Sequence, residues 1–189
     1  MSAAVNPVVL PGSLRATAQP DLAVSRLLLR PWRPDDDGDV AAVLAAFADP
    51  EIQRWGMRDV SSPAQARAWM RRWATGWWDE TDACWAVVTD GVVVGRAAMR
   101  RLDLAGGVGE LTYWVLPDAR GRGIASAAAG EVARWALEQV GLRRVELWHS
   151  VHNEASCAVA RRIGFPLEKT LRDGVLLVDG WHDVHRHAR

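Results

Sequence analysis

LPDARGRGIAS, Leu116 to Ser126, decides how this chain of 189 residues is read. Just upstream, Glu110 to Leu116 alternates as a strand does, and Pro117 ends it. Downstream, Ala128, Val132, Trp135 and Ala136 mark the apolar face of a helix predicted from about Ala125 to Val140, with Gly141 as its stop. Between them, Gly121 and Gly123 allow close backbone approach at a helix start that offers unpaired N–H groups and a positive dipole end. Arg120 and Arg122 add charge in a geometry suited to phosphate. The stretch reads as an anion site, although a turn of this composition also serves as an ordinary exposed loop. A dinucleotide fingerprint fits poorly, because the third glycine is missing and antiparallel strands precede the segment. A phosphate loop of the Walker type is excluded, since the only lysine, Lys169, follows Glu168 and no glycine-rich turn.

Working outward, Arg144 to Val151 reads as the next strand, Asn153 as the cap of a short helix, Gly164 as its end, and Leu167–Leu171 and Val175–Arg186 as two final strands. Toward the N-terminus, CWAVVTDGVVVGRAAMR (Cys84–Arg100) predicts a hairpin turning at Asp90-Gly91. Ser61-Ser62-Pro63 opens a helix that carries Trp69, Trp73 and Trp77 at intervals of four. Asp35, Asp36 and Asp37 cap an earlier helix over Val40–Phe47, which stops before Asp49-Pro50. VSRLLLR, Val24 to Arg30, suits a first strand, and residues 1–20 read as a flexible arm before a domain over 21–189. The expected fold is a single α/β (α+β) domain whose mixed, mostly antiparallel sheet is flanked by helices.

Acidic and basic residues balance at 23 each, so no global positive field favours nucleic acid or an anionic membrane as the partner. The two cysteines, Cys84 and Cys157, are too few for a disulfide scaffold and read as buried thiols, which fits a reducing cytoplasm. Neither a leader nor about 18 consecutive apolar residues is evident, so a soluble, untargeted protein is expected.

Two patterns, in order, carry a resemblance. Arg120-x-x-Gly123-x-Ala125 follows a strand ending Tyr113-Trp114-Val115-Leu116-Pro117, and Asn153-x-x-Ser156-x-x-Val159-x-x-Arg162-x-Gly164-Phe165 comes after it. Together they resemble the GNAT superfamily of acyl-CoA-dependent N-acyltransferases. With LLLRPWRPDD (Leu27–Asp36) and ADPEIQRW (Ala48–Trp55), the chain from about residue 22 looks like the branch containing ribosomal-protein N-terminal alanine acetyltransferases.

The resemblance implies acetyl-CoA, or another short acyl-CoA, bound where two central parallel strands splay. By it, the backbones of Val115 and Leu116 pair with the pantetheine arm. The amides of Arg120, Gly121, Arg122, Gly123, Ile124, Ala125 and Ser126 hold the pyrophosphate, and Asn153 and Ser156 lie beside the arm and thioester. The reaction is direct attack of a primary amine on the thioester. Glu110, on the same strand face as Thr112 and Trp114, is the expected base, or else merely an exposed strand-end carboxylate. Many relatives carry a tyrosine where this chain has Ala160, so the acid role passes to Ser156, which alternatively just caps the helix with Asn153.

The acceptor has no readable motif: a protein N-terminus, a small-molecule amine such as an antibiotic or metabolite, or no acceptor at all in a non-catalytic acyl-CoA-binding module. The oligomeric state stays open, a homodimer included. No metal is expected, since a terminal strand points His182 away from His185 and His187. His149 and His152, at the end of the strand before Asn153, read as structural or as a proton relay. The tryptophan stripe reads as core or, with Trp55 and Trp78, as an aromatic acceptor pocket.

Overall fold

Asp90 and Gly91 both adopt positive φ, 50° and 78°, and this tight turn joins β3 (Ala83–Thr89) to β4 (Val92–Asp103). From that hairpin the sheet grows both ways. The computed structural model describes residues 6–56 and 60–189, and the sheet has eight strands in the order β1-β2-β3-β4-β5-β6-β8-β7. The flanking strands are β1 (Leu22–Val24), β2 (Leu27–Pro31), β5 (Val108–Val115), β6 (Arg144–Ser150), β7 (Leu167–Leu177) and β8 (Gly180–Ala188). Every pairing is antiparallel except β5 with β6. The mixed, mostly antiparallel sheet flanked by helices is the one expected.

Helices cover both faces. On one, α4 (Ile124–Arg134, widening into a π-helical turn over Trp135–Val140) lays Ala128, Ala129 and Val132 on Trp85, Met99, Leu111 and Leu147, and α5 (Glu154–Arg162) follows with Ala160. On the other, α1 (Asp37–Ala48) and α3 (Pro63–Trp78) pack Val43, Phe47, Trp69, Met70 and Trp73 on Ala86 and Ala98. The caps are those the sequence offers. Asp36 accepts from the amides of Gly38 and Asp39, and Ser62 and Gln65 form a capping box. A short helix, α2 (Pro50–Arg54), restarts directly after α1 with Asp49 as its N-cap. Among the described residues no helix is long and apolar enough to cross a membrane.

Three expectations are corrected. The first strand is two, because Ser25 takes a positive φ of 53° and turns β1 back onto β2. The final hairpin turns after Leu177, not at Arg172–Gly174, which instead form an irregularity in β7 where the register shifts between Leu171 and Val175. The third concerns the arm. Its first five residues lie outside the described residues, but from residue 8 onward the segment is docked. Val8 and Val9 donate backbone N–H groups to Ala105 and Leu104, and Val9 and Leu14 are buried. The Glu80 carboxylate accepts from the amides of Gly12, Leu14 and Arg15, and the Trp77 and Trp85 indoles donate to the carbonyls of Thr17 and Pro20. Small and proline-rich as it is, the segment satisfies its backbone on side chains far away in sequence, where no periodicity betrays it.

Candidate active site

The parallel pairing of β5 with β6 lasts only three positions, Val108 with Arg144, Gly109 with Val145 and Glu110 with Glu146. Beyond Glu110 the strands part. The gap is a cleft of about 960 Å³ walled by Leu111–Val115 on one side and Leu147–Ser150 on the other. It passes through the sheet. Tyr113, Gly123–Ser126, Asn153 and Ser156 line it on the α4 and α5 face, whereas Glu110, Thr112, Trp114, Trp148 and Ser150 line it on the α1 and α3 face.

At one end lies the glycine turn. Gly121 and Gly123 both hold left-handed backbones, φ 76° and 75°, and a Cβ at either would meet nothing within 4 Å. Gly123 is the N-cap of α4 without a side-chain cap, and no acid stands in the first turn, so the helix start faces open space with its amides. This is the arrangement that suits a diphosphate.

The two arginines behave otherwise than the turn suggested. Arg120 donates to the Val115 carbonyl at 3.1 Å and to Asp49 at 2.7 Å, so its guanidinium braces the turn against α2. Burial favours the neutral form of Asp49, but Arg120 and the Ile52 amide outweigh it and hold the carboxyl below its ordinary range. Arg122 is exposed and does not line the cleft. Leu116 also lies off the cleft, because its amide donates to Val94 and its side chain packs beside the α1 and α3 core. Val115, Arg120, Gly121, Gly123, Ile124, Ala125 and Ser126 do line it.

Across the cleft, Asn153 accepts from the Ser156 amide at 2.9 Å as the cap of α5, and both residues border the cavity. Beside Ser156 stands the group that sequence reasoning missed. Tyr113 is the only tyrosine in the chain, and its hydroxyl, buried against Ser156, makes no full hydrogen bond. Burial pushes its pKa up to about 12. A neutral phenol with a proton to direct therefore faces the cleft from β5, the strand opposite α5. Its being the sole tyrosine was the available signal.

On the other face, Glu110 is largely buried and receives Arg101 at 2.9 Å. Trp69 and Trp73 prove to be both core and cleft wall. They are buried, line the cavity with Trp55, and leave their indole N–H groups without partners, as does Trp114. Trp77 belongs to the opposite core, and Trp78 is exposed and off the cleft. Buried Arg96 stacks over Trp73 at 4.3 Å and donates to Cys84 Sγ at 3.1 Å, with one terminal nitrogen unpartnered.

At the end of β6 the sequence reading also missed a hydrogen-bonded chain of polar side chains. Ser150 Oγ and His182 Nδ1 are 2.8 Å apart, and His182 Nε2 is 2.8 Å from Asp179. His182 stands on the face opposite His185 and His187, as the strand alternation requires. Those two stand instead with His149 and a half-buried Cys157, whereas Cys84 is fully buried as expected.

Comparisons with known proteins bear on this geometry. Residues 26–166 match the family model described as an acetyltransferase (GNAT) domain. The "Putative ribosomal N-acetyltransferase YdaF" of Bacillus subtilis is 39% identical over 93 residues, 49% of this chain and 50% of that protein. The ribosomal-protein-serine acetyltransferase of Escherichia coli is 31% identical over 97 residues, 51% of this chain and 54% of the relative. The chain thus spans about half the length of either curated relative. Among solved structures, RimL, a ribosomal L7/L12 alpha-N-protein acetyltransferase in complex with coenzyme A, superposes with a TM-score of 0.81 at 22% identity, covering 90% of this chain and 97% of that one.

Proposed function

The chain belongs to the GNAT acetyltransferase family, and from that premise we propose that it moves an acetyl group from acetyl-CoA to the amine of a protein N-terminus by direct attack. One observation carries the reading. A single cleft runs through the sheet, with an amide-lined turn at its α4 face and a wall of unpartnered side-chain donors at the other.

The donor side fits acetyl-CoA. The amides from Gly121 to Ser126 receive its pyrophosphate, and the edge of β5 freed beyond Glu110 runs beside the pantetheine arm as a strand would. When bound, acetyl-CoA supplies an activated acyl carbon and a thiolate leaving group. Asn153 holds the arm from the start of α5. Arg120 acts on this side as a brace through Asp49, not as a phosphate ligand.

Glu110 takes the proton that the amine must lose before its lone pair attacks the acyl carbon. Free backbone N–H groups on β5 stabilise the oxyanion as the C–N bond forms and the C–S bond breaks. Tyr113 meets the departing sulfur. A phenol at about 12 does not surrender its proton to a thiolate whose conjugate acid lies near ~8.5, so Tyr113 stabilises that charge by donating a hydrogen bond, with Ser156 beside it, and solvent supplies the proton.

The acceptor wall selects the substrate class. Three indole N–H groups and an Arg96 nitrogen lack partners there, and donors without acceptors call for a ligand rich in oxygen. A peptide N-terminus brings carbonyl oxygens next to its amine, which a simple alkylamine does not. Relatives named for ribosomal proteins agree with that choice.

The test is release of the free thiol of CoA with a panel of peptides ending in different residues beside small-molecule amines. Turnover confined to peptides is the expected outcome. Turnover with small amines alone transfers the activity to a metabolite, and acetyl-CoA binding without turnover on any amine replaces the enzyme with a binding module.

A further inference from the structure

Under α5, on the sheet face away from the acceptor wall, four side chains from three elements converge. They are His149 of β6, His185 and His187 of β8, and Cys157 of α5, and one ligand atom from each lies within 4.8 Å of every other. The register explains the meeting. His149 pairs with His185 and Leu147 with His187 across the antiparallel ladder, so the three rings share one face, onto which α5 turns Cys157.

We propose that this cluster is a zinc site of three imidazoles and one thiolate. The tautomers favour it. His149 Nδ1 is 2.8 Å from the Ser150 carbonyl and His187 Nδ1 is 3.0 Å from the Phe165 carbonyl. Facing a carbonyl, each Nδ1 must carry the proton and donate, which leaves the lone pair on Nε2. Both Nε2 atoms are buried without any partner, as is His185 Nδ1, and the residues His149 and His187 are only 7% and 1% exposed. Buried acceptors facing one another unpaired are what native interiors avoid. An imidazole whose other nitrogen donates to a backbone carbonyl is, by contrast, the usual dress of a metal ligand.

The donor set and dimensions suit zinc. Nitrogen and sulfur at about 2.0–2.1 Å and 2.3 Å from a tetrahedral ion stand about 3.3–3.7 Å apart, so small rotations close the present spacing. His185 and Cys157 are only partly buried and leave a way in for the ion. On binding, the Cys157 thiol releases its proton to solvent and the imidazoles bind neutral. With four protein ligands the site is closed and its work is structural: it ties α5, whose first turn carries Asn153 and Ser156, to β6 and β8.

Protein stripped with a chelator is titrated with Zn²⁺ and, separately, with Co²⁺ as a spectroscopic substitute. One tightly held equivalent is expected, with tetrahedral ligand-field bands and a thiolate-to-cobalt charge-transfer band. Cys157→Ser, a mild change at a half-buried position, should abolish the charge-transfer band and weaken Zn²⁺ by at least about tenfold. His185→Asn should weaken it similarly, while His182→Asn and His152→Asn, on the neighbouring histidines, should leave it intact. Failure to take up a stoichiometric equivalent overturns the site, as does a cobalt spectrum without thiolate character or loss of binding in the two controls. Acetyl-CoA binding by the stripped protein is measured in parallel, so failure of the metal site is distinguishable from failure of the transferase reading.

Discussion

The two ends of the cleft are built from different materials. The turn at Gly121–Ser126 is backbone: two left-handed glycines, a helix start without a side-chain cap, and open space where a Cβ would stand. The wall beneath α3 is side chain: Trp69, Trp73, Trp114 and Arg96, drawn from three elements and held by stacking. A backbone cradle serves a ligand whose shape never varies and leaves a compact signature in the sequence. A side-chain wall is free to change with its ligand, and its members are scattered along the chain.

The contrast can be broken most directly at Gly123. Valine there must adopt φ near 75° and fills the space left for the diphosphate. The stabilisation that acetyl-CoA confers, about 2.7 kcal/mol at a hundredfold excess over Kd, should vanish from thermal melts of Gly123→Val. A melting shift equal to wild type would take the turn out of the donor site. Glu110→Gln comes next, with a fall of about 10²-fold in turnover near neutrality, nearly unchanged acetyl-CoA affinity, and partial recovery at high pH where the free amine forms unaided. Full activity in that variant, together with its loss in His182→Asn, would hand the proton to the Ser150–His182–Asp179 chain.

Tyr113 sits where the two halves meet. Tyr113→Phe should lower kcat about tenfold, ~1.4 kcal/mol in the barrier, and Ser156→Ala by less. The reverse order would restore the serine as principal donor. The phenol also leaves a mark on stability. Because burial favours its neutral form, the native state holds this proton more tightly than the unfolded chain does. The contribution is whole below the ordinary value of 10 and is lost as pH rises through the native value of about 12. Denaturant melts between pH 9 and 11.5 should fall more steeply for wild type than for Tyr113→Phe, and parallel curves would refute the burial argument. The smallest effect is expected at the wall, where Trp73→Phe removes one donor and weakens the stack with Arg96. A several-fold rise in KM for the acceptor peptide with an unchanged Kd for acetyl-CoA would keep the halves separate, and an equal change in both would merge them.

Legibility in the sequence follows the same division. Asp90-Gly91, the Ser61-Ser62-Pro63 helix start, the glycine turn and Asn153 could be read because each is a local device whose chemistry is complete within a few residues. Ser25 and Asp173, which adopt positive φ without being glycine, gave no such notice, and the strands around them were divided in the wrong places. Docking of residues 8–20 depends on Glu80, more than 60 residues away. The site split likewise. Glu110, Asn153, Ser156 and most of the turn border the cleft, Arg120 among them with its guanidinium held by Asp49, whereas Arg122 and Leu116 lie off it, the Leu116 amide taken by Val94. Tyr113 and the histidine cluster needed the register of three strands before they had neighbours.

Asp49 joins what the cleft divides. The residue ends α1 with its backbone N–H on the Ala46 carbonyl, while its one carboxylate caps α2 through the Ile52 amide and grips Arg120 at the donor turn. A shift of the donor turn that pulls Arg120 from Asp49 loosens the start of α2, and an acceptor that orders α2 steadies Arg120 by the same free energy. The donor turn and the start of α2 are thereby linked through one ion pair that touches neither reacting atom.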